Sequence, residues 1–155
     1  MKLTLVLFGI LGLSACQKPA DETTAIKQVL EKESATWRAG DVAGHAACWQ
    51  VQPDSRILIS TADGQVLDVP PARMVAPSAA MGQGGRAVLS NYRIHLAGSA
   101  AWVSHDEEST ARDGQKTYSY EFRMLEKMDG QWKLVGQSIH VYKHQNQPGL
   151  PARLR

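Results

Sequence analysis

From Asp21 onward apolar residues recur at helical spacing, with Ile26, Val29, Leu30 and Trp37 on one face and Glu and Lys between them. This pattern predicts an amphipathic helix of about 18 residues. Asp21 is placed to cap its first turn and Gly40 to stop it in the left-handed conformation. Asp41 is a second cap, and Val42, His45, Ala46 and Trp49 then fall at i, i+3, i+4 and i+7, which predicts a second, shorter helix packed at an angle to the first. After Asp54 the period drops to two. RILIS and QVLDV flank Ala62-Asp63-Gly64, an Asp-Gly hairpin signal. Pro70-Pro71 open a segment with room for one helical turn, and the glycine-rich SAAMGQGGR (78–86) is read as a loop or lid over a cavity mouth. It lacks the GxxxxGK spacing of a phosphate cradle. The last third holds four long alternating runs, AVLSNYRIHLAG, SAAWVSHDEEST, QKTYSYEFRMLEKM and QWKLVGQSIHVYK, separated by Gly98-Ser99, Asp113-Gly114 and Asp129-Gly130. They predict an antiparallel meander.

Ahead of the first helix lies a different pattern. Lys2 is followed by an uncharged apolar run from Leu3 to Leu13, shorter than the roughly 20 apolar residues that cross a bilayer. The run leads into Leu13-Ser14-Ala15-Cys16. Its length suits the h-region of a secretion signal. The four residues at its end resemble the bacterial lipobox, in which small residues admit the signal peptidase and the cysteine thiol takes up diacylglycerol. The resemblance implies a signal peptide over residues 1–15, a lipidated Cys16 with a short polar tether over 16–21, and a membrane held through the N-terminal lipid. Two or more acyl chains anchor stably where a single chain is marginal. Gln17 stands where an aspartate would resemble the inner-membrane retention signal, so the expected address is the periplasmic side of the outer membrane.

Composition narrows the classes further. Lys+Arg number 17 against 15 Asp+Glu, with no basic run of the sort that tracks a phosphate backbone, so nucleic acid is excluded as an expected partner. The two cysteines are Cys16 and Cys48; with the first acylated, the second has no intrachain partner and a disulfide scaffold is excluded. No His/Cys spacing suggests a metal, and no cofactor is expected. Residues 22–143 are read as one domain and 144–155, with Pro148 and Pro151 and no periodicity, as a loosely held tail.

Two to three helices, a hairpin and a curved four-strand meander resemble the NTF2-like superfamily, an α+β cone in which helices close one face of a bent, mostly antiparallel sheet. The strings Gly40-Asp41, NYRIHLAG running into AAWVSHDEE, and EFRMLEKMDGQWKLV look like this superfamily and its SnoaL-like members. The last also resembles the association domain of calcium/calmodulin-dependent kinase. Fold of this kind serves isomerases, cyclases, dehydratases, transport factors and binding modules alike, so it does not select an activity. By the resemblance His105, Glu107, Glu121 and Arg123 converge inside the cone. Glu107 replaces one of the kinase domain's pocket arginines, a departure from an anion-binding pattern.

Two roles are open for these residues. Period two puts Ser119, Glu121, Arg123 and Leu125 on one face and Tyr118, Tyr120, Phe122 and Met124 on the other, while Val103, His105 and Glu107 share a face of the preceding run. His105, Glu121 and Arg123 are the catalytic candidates, with His105 as base and Arg123 stabilising developing negative charge; otherwise they form the wet side of the sheet. The expected ligand-binding set is His45, Trp102, His105, Glu107, Tyr120, Glu121 and Arg123. His45 interrupts the apolar stripe of the second helix and faces either core or pocket. Trp102, Tyr120 and Trp132 are bulky enough to line a pocket or fill a core. Cys48 reads as a buried small residue, and His140 and Tyr142 share a face of the last run, as pocket or interface residues. The expected function is binding of a small ligand or envelope partner without catalysis. The alternatives are a SnoaL-like isomerase, cyclase or hydrolase, and a module dimerising through its sheet face.

Overall fold

A computed structural model describes residues 21–142. The expected signal peptide, the tether as far as residue 20, the last residue of the expected domain (143) and the tail over 144–155 lie outside the described residues. Helix α1 spans Glu22–Ala39, with the Asp21 carboxylate accepting from Thr23 N and Gly40 at φ 74 ending it. Gly40 N–H and its neighbour's amide close the last turn on Trp37 O and Thr36 O. Helix α2 is one short segment, Val42–Ala46, capped by Asp41. It stops before Trp49, which leaves the helical stripe and makes an isolated parallel bridge to Leu134. The predicted hairpin is β1 (Ile57–Ser60) and β2 (Val66–Val69), and the Pro70-Pro71 segment holds the one-turn helix α3 (Pro71–Met74).

The meander is β3 (Arg86–Ala97), β4 (Ala100–Thr110), β5 (Lys116–Met128) and β6 (Gln131–Tyr142). All six strands form one sheet ordered β2-β1-β6-β5-β4-β3. Only β1 against β6 is parallel. Helix α1 lies across the inner face of the sheet, where its residues Ile26 and Leu30 join Val103, Leu125, Trp132 and Leu134 in the core. At its start the Glu22 carboxylate accepts from Trp132 Nε1 (2.6 Å) and pairs with Lys127 (2.5 Å), tying the first turn to the β5–β6 hairpin.

Two irregularities decide which side chains face inward. In β3 the register shifts between Ser90 and Arg93, where Asn91 adopts φ 55. In β6 the register shifts opposite Met124 and Leu125, which pair with Gly136 and Leu134, so Val135 is the extra residue. A bulge of one residue reverses the alternation beyond it. Trp132 and Leu134 point to the core before the bulge; Gln137, Ile139 and Val141 face inward after it.

Candidate functional site

Between α1, α2, α3 and the inner sheet face lies a cavity of about 680 Å³. Its walls are apolar, from Ile57 and Ile59 of β1, Met74 of α3, and Ile139 and Val141 of β6. Its floor is charged. Glu33 and Trp37 reach it from α1, His45 from α2, Glu107 from β4, Glu121 and Arg123 from β5, and Gln137 from β6. Glu33, His45, Glu107, Glu121, Arg123 and Gln137 are all buried.

Arg123 organises the floor. Its Nε donates to Glu121 Oε2 at 2.9 Å, its Nη2 donates to the same oxygen, and its Nη1 donates to Glu33 Oε2 at 3.1 Å and to Gln137 Oε1. Ser119 Oγ completes Glu121 by donating to Oε1 at 2.8 Å. Burial opposes the Arg123 charge, but Glu121, Glu33 and Glu107 outweigh it and raise its pKa. Burial likewise pushes the Glu121 carboxyl up, and Arg123, with His105 and the Ser119 hydroxyl, more than reverses this and holds it below its ordinary value. A second guanidinium closes the side of the floor. Arg38 Nη2 pairs with Glu107 Oε1 at 2.6 Å and also donates to Ser109 Oγ, while its Nη1 donates to Ser34 Oγ at 2.8 Å. Ser34 Oγ in turn donates to Glu107 Oε2 at 3.2 Å.

His45 lies against Trp37, with ring centroids 5.2 Å apart. Its Nδ1 is 3.4 Å from Glu33 Oε1 but makes no hydrogen bond, and its Nε2 is 3.4 Å from Met74 O. Over the mouth lies the glycine-rich loop, whose Ser78, Gln83 and Gly84 line the cavity. Two amides fasten it to the end of α1, Gly82 N to Trp37 O (3.0 Å) and Gly84 N to Arg38 O (2.9 Å). It sits where a lid was expected, and is held there by backbone bonds.

Of the residues expected in the site, the cavity brings together His45, Glu107, Glu121 and Arg123. Three need correction. Trp102 is on the outer sheet face, 43% exposed and stacked on His95 at 3.9 Å. Tyr120 shares that face because period two sends it opposite to Glu121. His105 points inward but does not reach the cavity; it is fully buried, with the Tyr92 ring 5.4 Å away and its Nε2 3.8 Å from Glu121 Oε2. The β3 irregularity is the reason, since it brings Tyr92 to the inner side beside His105. Burial, and then the Arg123 charge, lower the His105 pKa and keep the ring neutral. His140 is exposed on the outer face beside Ser138, with Ser138 Oγ 3.0 Å from its Nε2. Trp132 is core. Cys48 is buried, donates to Gly44 O at 3.3 Å, and has its thiol pKa pushed up by burial, as expected of a packing residue.

Sequence reasoning missed Glu33, Trp37 as a cavity residue, Arg38 and Gln137. The first had a signal. Glu33 continues the stripe Ile26, Leu30, Trp37 at helical spacing, so a carboxylate there must be buried and needs a cation.

The comparisons agree with this architecture. The model of the SnoaL-like domain matches residues 26–141, and the chain belongs to that family. No curated protein matches. Among solved structures, the chain is similar to a protein of unknown function with a cystatin-like fold from Nostoc punctiforme, at 18% identity and TM-score 0.62, over 85% of this chain and 96% of that one. An NTF2-like protein of unknown function from Shewanella baltica matches at 19% identity and TM-score 0.57, over 82% and 98%. A protein of the NTF2-like family from Streptomyces avermitilis, provisionally described as a dehydratase, matches at 12% identity and TM-score 0.62, over 79% and 97%. Likeness at these identities is a statement of fold.

Proposed function

We propose that this protein binds a small molecule in the cone without transforming it, and that it does so at the cell envelope, anchored by lipid on Cys16 to the periplasmic side of the outer membrane. The observation that carries the binding reading is the cavity. At about 680 Å³ it falls within the roughly 300 to 1,000 Å³ of small-molecule sites, with apolar walls and a few convergent polar groups. Its guanidinium groups are engaged by carboxylates, amide and hydroxyls of the chain itself, so neither is poised to stabilise a developing oxyanion. The test is native mass spectrometry of the protein purified from its own host. A bound molecule recovered chemically unchanged is the expected result; empty protein from the host, together with no binder in a broad metabolite screen, would overturn it. The anchor is tested separately: Cys16→Ser should abolish incorporation of labelled palmitate and release the protein from membranes.

One observation favours a second reading, an isomerase, cyclase or hydrolase of the SnoaL-like kind. His45 and Glu33 stand side by side in the cavity wall, and the ring Nδ1 has no hydrogen bond. Conversion of the recovered ligand by the protein, lost in His45→Gln, would replace the binding reading with this one.

For the outer sheet face we assign a second copy of the chain as partner. Trp102 and Met124 are register partners, Phe122 lies two residues from Met124, and all three are large exposed apolar residues on adjacent strands. A two-fold pair would bring this same patch of both copies together and cover it.

A further inference from the structure

The charges of the cavity floor do not balance, and the imbalance has a definite position. Three carboxylates, Glu33, Glu107 and Glu121, face two guanidinium groups, Arg38 and Arg123. Glu107 is taken by Arg38, and Glu121 by Arg123 through two of its nitrogens. Glu33 is left with one shared contact, Oε2 to Arg123 Nη1 at 3.1 Å. Among the described residues, its Oε1 faces the His45 Nδ1 at 3.4 Å, and that nitrogen is not hydrogen-bonded although His45 is 1% exposed and lines the cavity. The remaining titratable groups on the cavity are His45 itself, whose Nδ1 faces Glu33, and the exposed Asp68 and Arg73 at the mouth, of opposite sign. His105, behind the floor, is held neutral by burial.

We infer that the cavity selects a ligand with a positively charged head, an organic ammonium, carried on an apolar body, and rejects carboxylates and phosphates. The inference rests on the ligand-binding reading above and names the class of ligand. An anion entering the floor would meet three buried carboxylates and two guanidinium groups that each already give four of their five N–H donors to the chain, so its desolvation is poorly compensated. An ammonium meets the under-used Glu33 carboxylate, with the Trp37 side chain lining the same cavity. The apolar body then lies along Ile57, Met74 and Ile139.

The experiment uses the protein as purified from its own host in detergent and three matched probes, 4-phenylbutylamine, 4-phenylbutanol and 4-phenylbutyrate, titrated calorimetrically at pH 7.5 and low salt. The amine is expected to bind at least about tenfold more tightly than the other two, a difference of about 1.4 kcal/mol. Equal binding, or tighter binding of the carboxylate, overturns the cation preference and leaves the ligand-binding reading standing. No binding by any probe at millimolar concentration overturns both. Glu33→Gln, with folding checked by circular dichroism, should erase the amine's advantage while the alcohol binds as before; an unchanged advantage would assign the preference elsewhere and overturn the role given to Glu33.

Discussion

Arg123 and Glu33 are ninety residues apart in the chain and meet at 3.1 Å beneath the cavity, joining the first helix to the middle of the sheet. Both are buried, and Glu33 depends on Arg123 for compensation of its charge while Arg123 is also paired with Glu121. Removing one partner of such a pair typically costs about 3–5 kcal/mol, because the other is left buried and unpaired. Arg123→Met should therefore destabilise the protein by about that amount in urea unfolding. The double variant Arg123→Met with Glu121→Gln, which removes one stranded carboxylate, should recover part of the loss.

The same cluster sets an acid limit on stability. His105 has a folded-state pKa below its ordinary value of 6.5, because of burial and the Arg123 charge, so as pH falls through that value the unfolded chain takes up a proton that the folded chain refuses. Glu121, held below 4.5 against its burial by Arg123, adds a second loss further down. Stability is thus highest above about pH 6.5 and declines in two stages toward acid. Melting temperatures measured from pH 8 to pH 3.5 should show this, and His105→Gln should flatten the upper stage only.

At Gly85 the backbone has φ 83, and a Cβ there would come within 2.1 Å of Thr110 O. Gly85→Ala should cost about 1–3 kcal/mol in strain and shift the loop that closes the cavity. Thermal unfolding checks the first effect. The second appears as a change in probe affinity, whereas Gly64→Ala, at an open turn with no atom within 4 Å, should strain its own turn and leave the probe's affinity unchanged.

If a second copy covers the outer sheet face, Phe122→Lys should convert the dimer to a monomer in sedimentation velocity without lowering the melting temperature of the isolated fold. Phe122 is 36% exposed and its removal empties no core position.

The helices and meander were legible because their signals are local. Asp21, Gly40 and Asp41 act on amides within one turn of themselves, and the Asp-Gly turns separate runs of unbroken alternation. Strand parity put Glu121 and Arg123 on one face, and the family resemblance placed that face inside the cone. Trp102 and Tyr120 were misplaced because residue size was weighed against strand parity, and parity prevails once a neighbouring residue faces the cavity. Gln137 and His140 could not be assigned without the Val135 bulge, which changes inside to outside for every residue after it. His105 was lost to Tyr92, whose inward position depends on the Asn91 backbone and on no side-chain pattern. Glu33 was readable in principle, as a lone acid on an apolar stripe.

The contacts of Glu22 with Lys127 and Trp132 bear on how the chain enters the domain. Whatever precedes Asp21 in the chain joins the fold at the first turn of α1. There it meets a carboxylate held by the β5–β6 hairpin at 2.5 and 2.6 Å. These contacts join the first turn of α1, which forms part of the cavity wall, to the middle of a six-stranded sheet. Glu22→Ala removes both contacts and leaves the start of α1 held to the sheet by the core packing of Ile26 and Leu30.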